Sequence, residues 1–203
     1  MAAGHRGKAG VVSLFLHPVF FLLRHGQTAH NAADLIAGAT DAPLDDEGRR
    51  QAEAAARHWQ TLPLGRLNVS PLLRARQTAE AFLKRRPGLR DAPAPLLAER
   101  NWGIWEGQPR AILNREATPE GGESPQAFRA RVKAACAAIP APAPGEAPPL
   151  LIAHSGTARE IAALLDVPFI RPPNCTLIRY HRAPDGAWRA DPPEVPAPLS
   201  VQP

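Results

Sequence analysis

Phe20-Phe21-Leu22-Leu23-Arg24-His25-Gly26-Gln27-Thr28 is the stretch on which the fold turns. A short apolar run rich in aromatic and branched side chains suits a strand buried on both faces, so Val19–Leu23 reads as a central strand. Arg24 and His25 then stand where that strand stops. A second stretch repeats the arrangement: Leu150-Leu151-Ile152-Ala153 is apolar throughout and runs into His154, Ser155 and Gly156. If the two strands are neighbours, both histidines lie on one edge of the sheet, where ligand sites of open α/β sheets collect.

The segments between these strands read as helices and short strands in alternation. Asp45 or Asp46 caps a helix running to about Trp59, with Ala52, Ala55, Ala56 and Trp59 as its apolar stripe. Leu67–Ser70 reads as a second, short strand ended by Pro71, and Ala75, Thr78, Ala79, Phe82 and Leu83 recur at helical spacing after it. Arg74 falls near that helix start, unfavourable against the helix dipole alone but sensible if it and the free amides face an anion. Arg90–Ser124 has little periodicity and many glycines and prolines, and reads as an irregular insert. Helical spacing resumes through Phe128, Val132, Ala135, Cys136 and Ile139, and the prolines from Pro140 to Pro149 form a stiff surface connection. After His154 a helix continues through Ala158, Ile161, Ala162 and Leu165, with Thr157 and Glu160 at capping-box spacing and Ser155 as a competing cap. Cys175–Tyr180 reads as a late strand and Trp188 as part of a weak edge strand.

Strands separated by helices predict an α/β fold, a three-layer α/β/α sandwich around a mostly parallel central sheet. Residues 19–190 form the expected domain, with an N-terminal extension over 1–18 and a proline-rich tail, extended or disordered, over 191–203. The chain of 203 residues is long enough for one real core. The apolar run Val11–Leu23 follows a weakly basic start, as in a signal peptide. It is interrupted by His17 and Pro18 and falls short of the roughly 18 residues a membrane span needs. A cytoplasmic chain with no membrane role is the expectation. Within that run, Val11–Leu16 is an extra strand, a mis-assigned start or an interaction segment.

Composition narrows the function classes. The 24 prolines and 15 glycines fall short of a disordered chain's enrichment, and two cysteines, Cys136 and Cys175, form no C-x-x-C pair. They read as two buried free thiols. Twenty-four basic against nineteen acidic residues leave a formal charge of +5, which attracts anions. The arginines are scattered, without aromatic interleaving or a helix-turn-helix or finger spacing, so nucleic acid is not the expected partner. A small phosphorylated molecule is. Two imidazoles with the guanidiniums of Arg24 and Arg74 suit a tetrahedral dianion and not zinc, whose charge those cations would oppose. No metal and no other cofactor is expected.

Leu23-Arg24-His25-Gly26-Gln27-Thr28, followed by Asn31, resembles the signature of the histidine phosphatase superfamily, which includes the cofactor-dependent phosphoglycerate mutases. The resemblance continues in order through the chain. Gly38–Leu44 matches a G-x-x-D-x-P-L stretch, SPLLRARQTAE places Ser70 and Arg74 at the second arginine motif, AERNWGIWEG places Glu99 at the catalytic acid, and LLIAHSG places His154 at the second histidine.

The resemblance implies a nucleophilic His25 that takes the phosphoryl group in a pocket formed with Arg24, Arg74 and His154. It implies Glu99 as proton donor, Asn31 on the phosphate, Thr28 or Gln27 at the pocket mouth, and the insert over the active site. Glu106, Glu116, Glu120 and Glu123 are the alternative acids in the insert, with Glu106 more suited to a structural or wall role. Ser155 stands where the family commonly has glycine directly after the histidine. That shift is expected to put Gly156 in a permissive turn, with Ser155 either capping the helix or touching substrate. The implied activity is phosphomonoester hydrolysis through a phosphohistidine on a small metabolite. Mutase-type phosphoryl transfer and a catalytically weak phosphate- or protein-binding module are the alternatives, and a homodimer through an edge strand is possible.

Overall fold

The computed structural model describes residues 12–197, so Met1–Gly10, Val11 and the last six residues of the expected tail lie outside the described part. Within the described residues lie six strands and five α-helices. In order they are β1 (Val19–Arg24), α1 (Ala29–Ala32), α2 (Asp46–His58), β2 (Arg66–Val69), α3 (Leu73–Arg85), β3 (Arg90–Pro93), α4 (Pro125–Ala138), β4 (Leu150–Ala153), α5 (Ser155–Leu164), β5 (Leu177–Arg182) and β6 (Trp188–Ala190). The strands form one sheet in the order β3-β2-β4-β1-β5-β6. β3, β2, β4 and β1 run parallel, while β5 and β6 are antiparallel additions beside β1.

The pairing that matters is β1 with β4. Phe21 opposes Leu150 and Arg24 opposes Ala153, so the two chains leave the sheet together and deliver His25 and His154 side by side. The run from Phe20 to Leu23 is buried because alternate residues enter opposite cores. Phe21 and Leu23 pack with Ala52, Ala55, Ala75 and Phe82 from α2 and α3, whereas Phe20 and Leu22 pack with Phe128, Val132 and Ile161 from α4 and α5. Helices therefore cover both faces, giving the expected α/β/α sandwich.

Several local expectations need correction. Arg90–Pro93 is an edge strand, exposed along most of its length, where the sequence offers no apolar alternation and ends in proline. Ser13–Leu16 is a 3-10 turn and not a strand: Leu14 is fully buried in the α4 core, and Ser13 Oγ donates to the Ala137 carbonyl at 2.6 Å. Part of the expected extension thus packs onto the body. At the other end Glu194 exchanges two backbone hydrogen bonds with Leu177 at 2.8 and 3.0 Å, so the tail's first residues are tied to β5. Both cysteines are buried and unpaired, and burial pushes each thiol up to about 12. No described helix is long and apolar enough to cross a membrane.

Candidate active site

His25 is only 4% exposed and sits one residue past β1. Its Nδ1 lies 2.7 Å from the Gly26 carbonyl, which can only accept, so that nitrogen carries the proton. The lone pair of the neutral ring is then on Nε2, to which Arg74 Nε donates at 3.2 Å. Burial first, then the charges of Arg74 and Arg24, hold the His25 imidazole well below its ordinary range, so it is neutral at pH 7. Asn174, at the bend before β5, fastens the His25 backbone by donating from Nδ2 to its carbonyl at 2.9 Å.

His154 is fully buried, and its ring centre stands 5.1 Å from that of His25. Ser70, at the end of β2, places Oγ 2.6 Å from His154 Nε2 while accepting from the Leu72 amide at 3.4 Å. Either tautomer of His154 makes that contact, the hydroxyl giving or taking the proton, and the other ring nitrogen, Nδ1, is buried without a partner among the described residues. With the proton on Nδ1 that buried group would lack an acceptor, which is costly, and a bound anion would supply one. Burial and the Arg74 charge keep this ring neutral too.

The two arginines are buried cations anchored to carbonyls. Arg74, 1% exposed and in the first turn of α3, donates to Thr40 and Gly38 carbonyls at 2.8 and 2.7 Å. Arg24 donates to the Pro172 carbonyl at 2.8 Å, its Nε has no partner among the described residues, and burial with the nearby charge of Arg171 lowers it to about 10, still cationic at pH 7. These groups spend few of their donors on one another, leaving N–H groups for an incoming dianion.

Glu99 reaches the same cavity from the insert. Its Oε2 accepts from the Gly156 amide and its Oε1 from the Arg100 amide, both at 2.8 Å. Gly156 lies inside α5 and not in a permissive turn; α5 begins at Ser155, with His154 as the cap residue and no side chain capping it. The glycine serves space, since a β-carbon there would collide with the Glu99 carboxylate. Ser155 lines the cavity beside Arg24, His25, Asn31, Arg74 and Glu99.

Neither Gln27 nor Thr28 lines that cavity, and the fully buried His154 beside His25 is not part of its lining either. Thr28 caps α1 in a reciprocal box with Asn31, and Gln27 donates to Asp45 Oδ2 at 3.1 Å, so both side chains hold the β1–α2 loop in place. Asn31 lines the cavity and accepts on Oδ1 from Thr28 and Asn174, which leaves its Nδ2 free of hydrogen bonds among the described residues. Glu106 faces away: its carboxylate accepts from the amides of Ala39, Thr40 and Trp102 at 2.7, 2.8 and 2.9 Å. Glu123 is spent on Arg131 at 2.7 Å. Glu99 is thus the insert carboxylate placed beside His25 and both arginines.

A family model described as the histidine phosphatase superfamily, branch 1, matches residues 20–188. The chain belongs to the histidine phosphatase superfamily. Among its relatives is the zebrafish (Danio rerio) fructose-2,6-bisphosphatase TIGAR B, 37% identical over 128 residues, which are 55% of this chain and 49% of that protein. The chain thus spans about half the length of that relative. A probable phosphoglycerate mutase GpmB of Yersinia enterocolitica is 31% identical over 81% of this chain and 86% of its own. The mycobacterial glucosyl-3-phosphoglycerate phosphatase, solved with VO3, is similar in structure with a TM-score of 0.72 and 29% identity, covering 88% of this chain and all of that one.

For a histidine phosphatase, several residues around this site carried no clear signal in the sequence. Asn174 and Thr78, whose Oγ1 accepts from the Gly26 amide at 3.1 Å, steady the His25–Gly26 backbone from distant segments. Arg100 braces the insert by donating to the carbonyls of Glu123, Arg115 and Ala117 while stacking on Trp102. Arg110 lies on the cavity wall. Among the described residues no group of three or more His, Cys, Asp or Glu is placed to hold a metal ion.

Proposed function

We propose that this histidine phosphatase hydrolyses phosphomonoesters of small metabolites through a phosphohistidine on His25. The observation that carries the reading is the His25 tautomer, with a lone pair on Nε2 in a cavity shared by Arg24, Arg74 and Glu99. In the first step Nε2 attacks phosphorus in line and the P–O ester bond breaks, with the Glu99 carboxyl giving its proton to the leaving alkoxide. The Arg74 Nε bond to Nε2 opens as phosphorus arrives, and its guanidinium turns to the equatorial oxygens together with Arg24, Asn31 and the His154 Nδ1 proton. In the second step water attacks the phosphohistidine, Glu99 accepts its proton, and the P–N bond breaks to return the His25 lone pair and free phosphate.

The choice of hydrolysis over return of the phosphoryl group rests on the cavity's continuity with a wider opening along α5 and on the short insert, which gives water a route to the phosphohistidine. The cytoplasm suits two buried free thiols. The test is rapid mixing with p-nitrophenyl phosphate followed by alkaline quench. A burst of nitrophenol and a trapped phosphohistidine are expected, with both lost in His25→Ala; wild-type protein showing neither turnover nor phosphohistidine from pH 5 to 8 refutes the reading. Because one relative is named a mutase, 3-phosphoglycerate is assayed for isomer and free phosphate separately, with and without a bisphosphate cofactor. Isomerisation far faster than phosphate release would make the chain a mutase.

A further inference from the structure

Glu99, Trp102, Arg110, Leu113 and Ser155 line both the catalytic cavity and a second one of about 280 Å³ that continues from it along α5. Glu99 is the proposed donor to the leaving oxygen, so the alcohol leaves on the Glu99 side and the second cavity receives the remainder of the substrate.

That cavity carries more positive charge than it balances. Arg129 is paired with Glu160 at 2.9 Å, Arg100 is taken up by three carbonyls, and Arg110 has only Asp34, at 3.8 Å. Arg115 and Arg159 line the same space, and among the described residues neither side chain has an ion pair or a hydrogen bond. Arg159 is nevertheless held, its guanidinium stacked 4.2 Å over the Phe169 ring. Burial and then the charge of Arg115 act against the Arg159 guanidinium, with Glu160 opposing them, and burial, Arg171 and Arg115 act against Arg110. Glu116 is exposed at the rim and bonds to neither arginine. Cations that repel one another beside the apolar walls of Leu113, Phe128 and Ala163 are stabilised by an anion that reaches them.

We propose that Arg115 and Arg159 form a second anion site, and that the substrate is a phosphomonoester bearing another anionic group, carboxylate or phosphoryl, on its alcohol portion. The proposal rests on the phosphatase reading for its orientation of the substrate. A neutral sugar phosphate would leave the two guanidiniums unsatisfied, whereas the second anion would form charge-assisted hydrogen bonds worth roughly 10- to 100-fold in binding or turnover.

Matched pairs test it: 3-phosphoglycerate against glycerol 3-phosphate for a carboxylate, and fructose 1,6-bisphosphate against fructose 6-phosphate for a second phosphoryl group. Both kcat/KM and, by calorimetry, Kd are measured at low and high salt. In at least one pair the dianion-plus-anion member is expected to be favoured by about 10-fold or more, and the preferred pair tells carboxylate from phosphoryl. The ratio is expected to collapse towards unity in Arg115→Gln/Arg159→Gln and to return in part in Arg115→Lys/Arg159→Lys. Because each ratio is taken within one variant, a general loss of activity cancels. No preference in either pair, or a ratio that survives the double substitution, overturns the proposal. The binding arm decides this even without turnover, whereas absence of phosphohistidine with a retained binding preference would fail the phosphatase reading alone.

Discussion

At the scale of single residues, the site depends on which atom each side chain has left over. His25 spends Nδ1 on its neighbour's carbonyl and His154 spends Nε2 on Ser70, so the Nε2 lone pair of one ring, met by Arg74, and the unpartnered Nδ1 of the other are left over. Glu99 is held by the Gly156 amide against a backbone with no β-carbon. Glu99→Gln should lower kcat about 100-fold or more for alkyl phosphates while p-nitrophenyl phosphate, whose leaving group needs little protonation, loses less than about 10-fold. Gly156→Ala should reproduce that leaving-group dependence by displacing the carboxylate; equal losses on both substrates would show that Glu99 is not the donor. The motifs made these side chains legible, because each stands beside its strand or helix end. Which nitrogen of each ring is free could not be read, since the partner of His154 lies on another strand.

At the scale of elements, the insert is fastened to the β1–α2 loop by Glu106, whose carboxylate joins residues 39 and 40 to residue 102. The same loop supplies the Gly38 and Thr40 carbonyls that aim Arg74. Gly38 sits at φ +53 with the Glu106 carboxylate packed against its α-carbon, a place where any side chain would both strain the backbone and collide. Glu106→Ala should therefore cost about 2 kcal/mol in urea unfolding and also lower kcat/KM through a misaimed Arg74. A stability loss with unchanged kinetics would mean that the loop holds its shape without the clamp. Helix periods and strand ends were readable here within a residue or two, as at Leu67–Ser70 against Arg66–Val69. Strand β3 was not, because an exposed edge strand has no buried face to impose alternation on its sequence.

At the scale of the whole molecule, two neutral histidines are buried in a chain whose formal charge is +5. Both have folded-state pKa values below the unfolded value of about 6.5, so the unfolded chain binds protons first as pH falls. Stability is then complete above about pH 6.5 and declines below it by up to about 1.4 kcal/mol per pH unit for each histidine, until the folded values are reached. Urea titrations from pH 7.5 to 5 should show that decline, and His25→Ala should make it shallower; an unchanged slope would mean that His25 is charged in the native state. Rapid-quench phosphorylation should show no histidine-dependent loss through pH 6.5, because the nucleophile stays unprotonated there. The sequence alone determined the two histidine-ended strands, their layers of helix and the order of the motifs, because burial periodicity and strand termination are properties of neighbouring residues. Only the tertiary structure decided that Gln27 and Thr28 support the loop, that Gly156 makes room for Glu99, and that Arg115 and Arg159 line one cavity with no ion pair among the described residues. Those facts depend on hydrogen bonds and charges brought together from segments far apart in the chain, and no local pattern records which partners a side chain meets there.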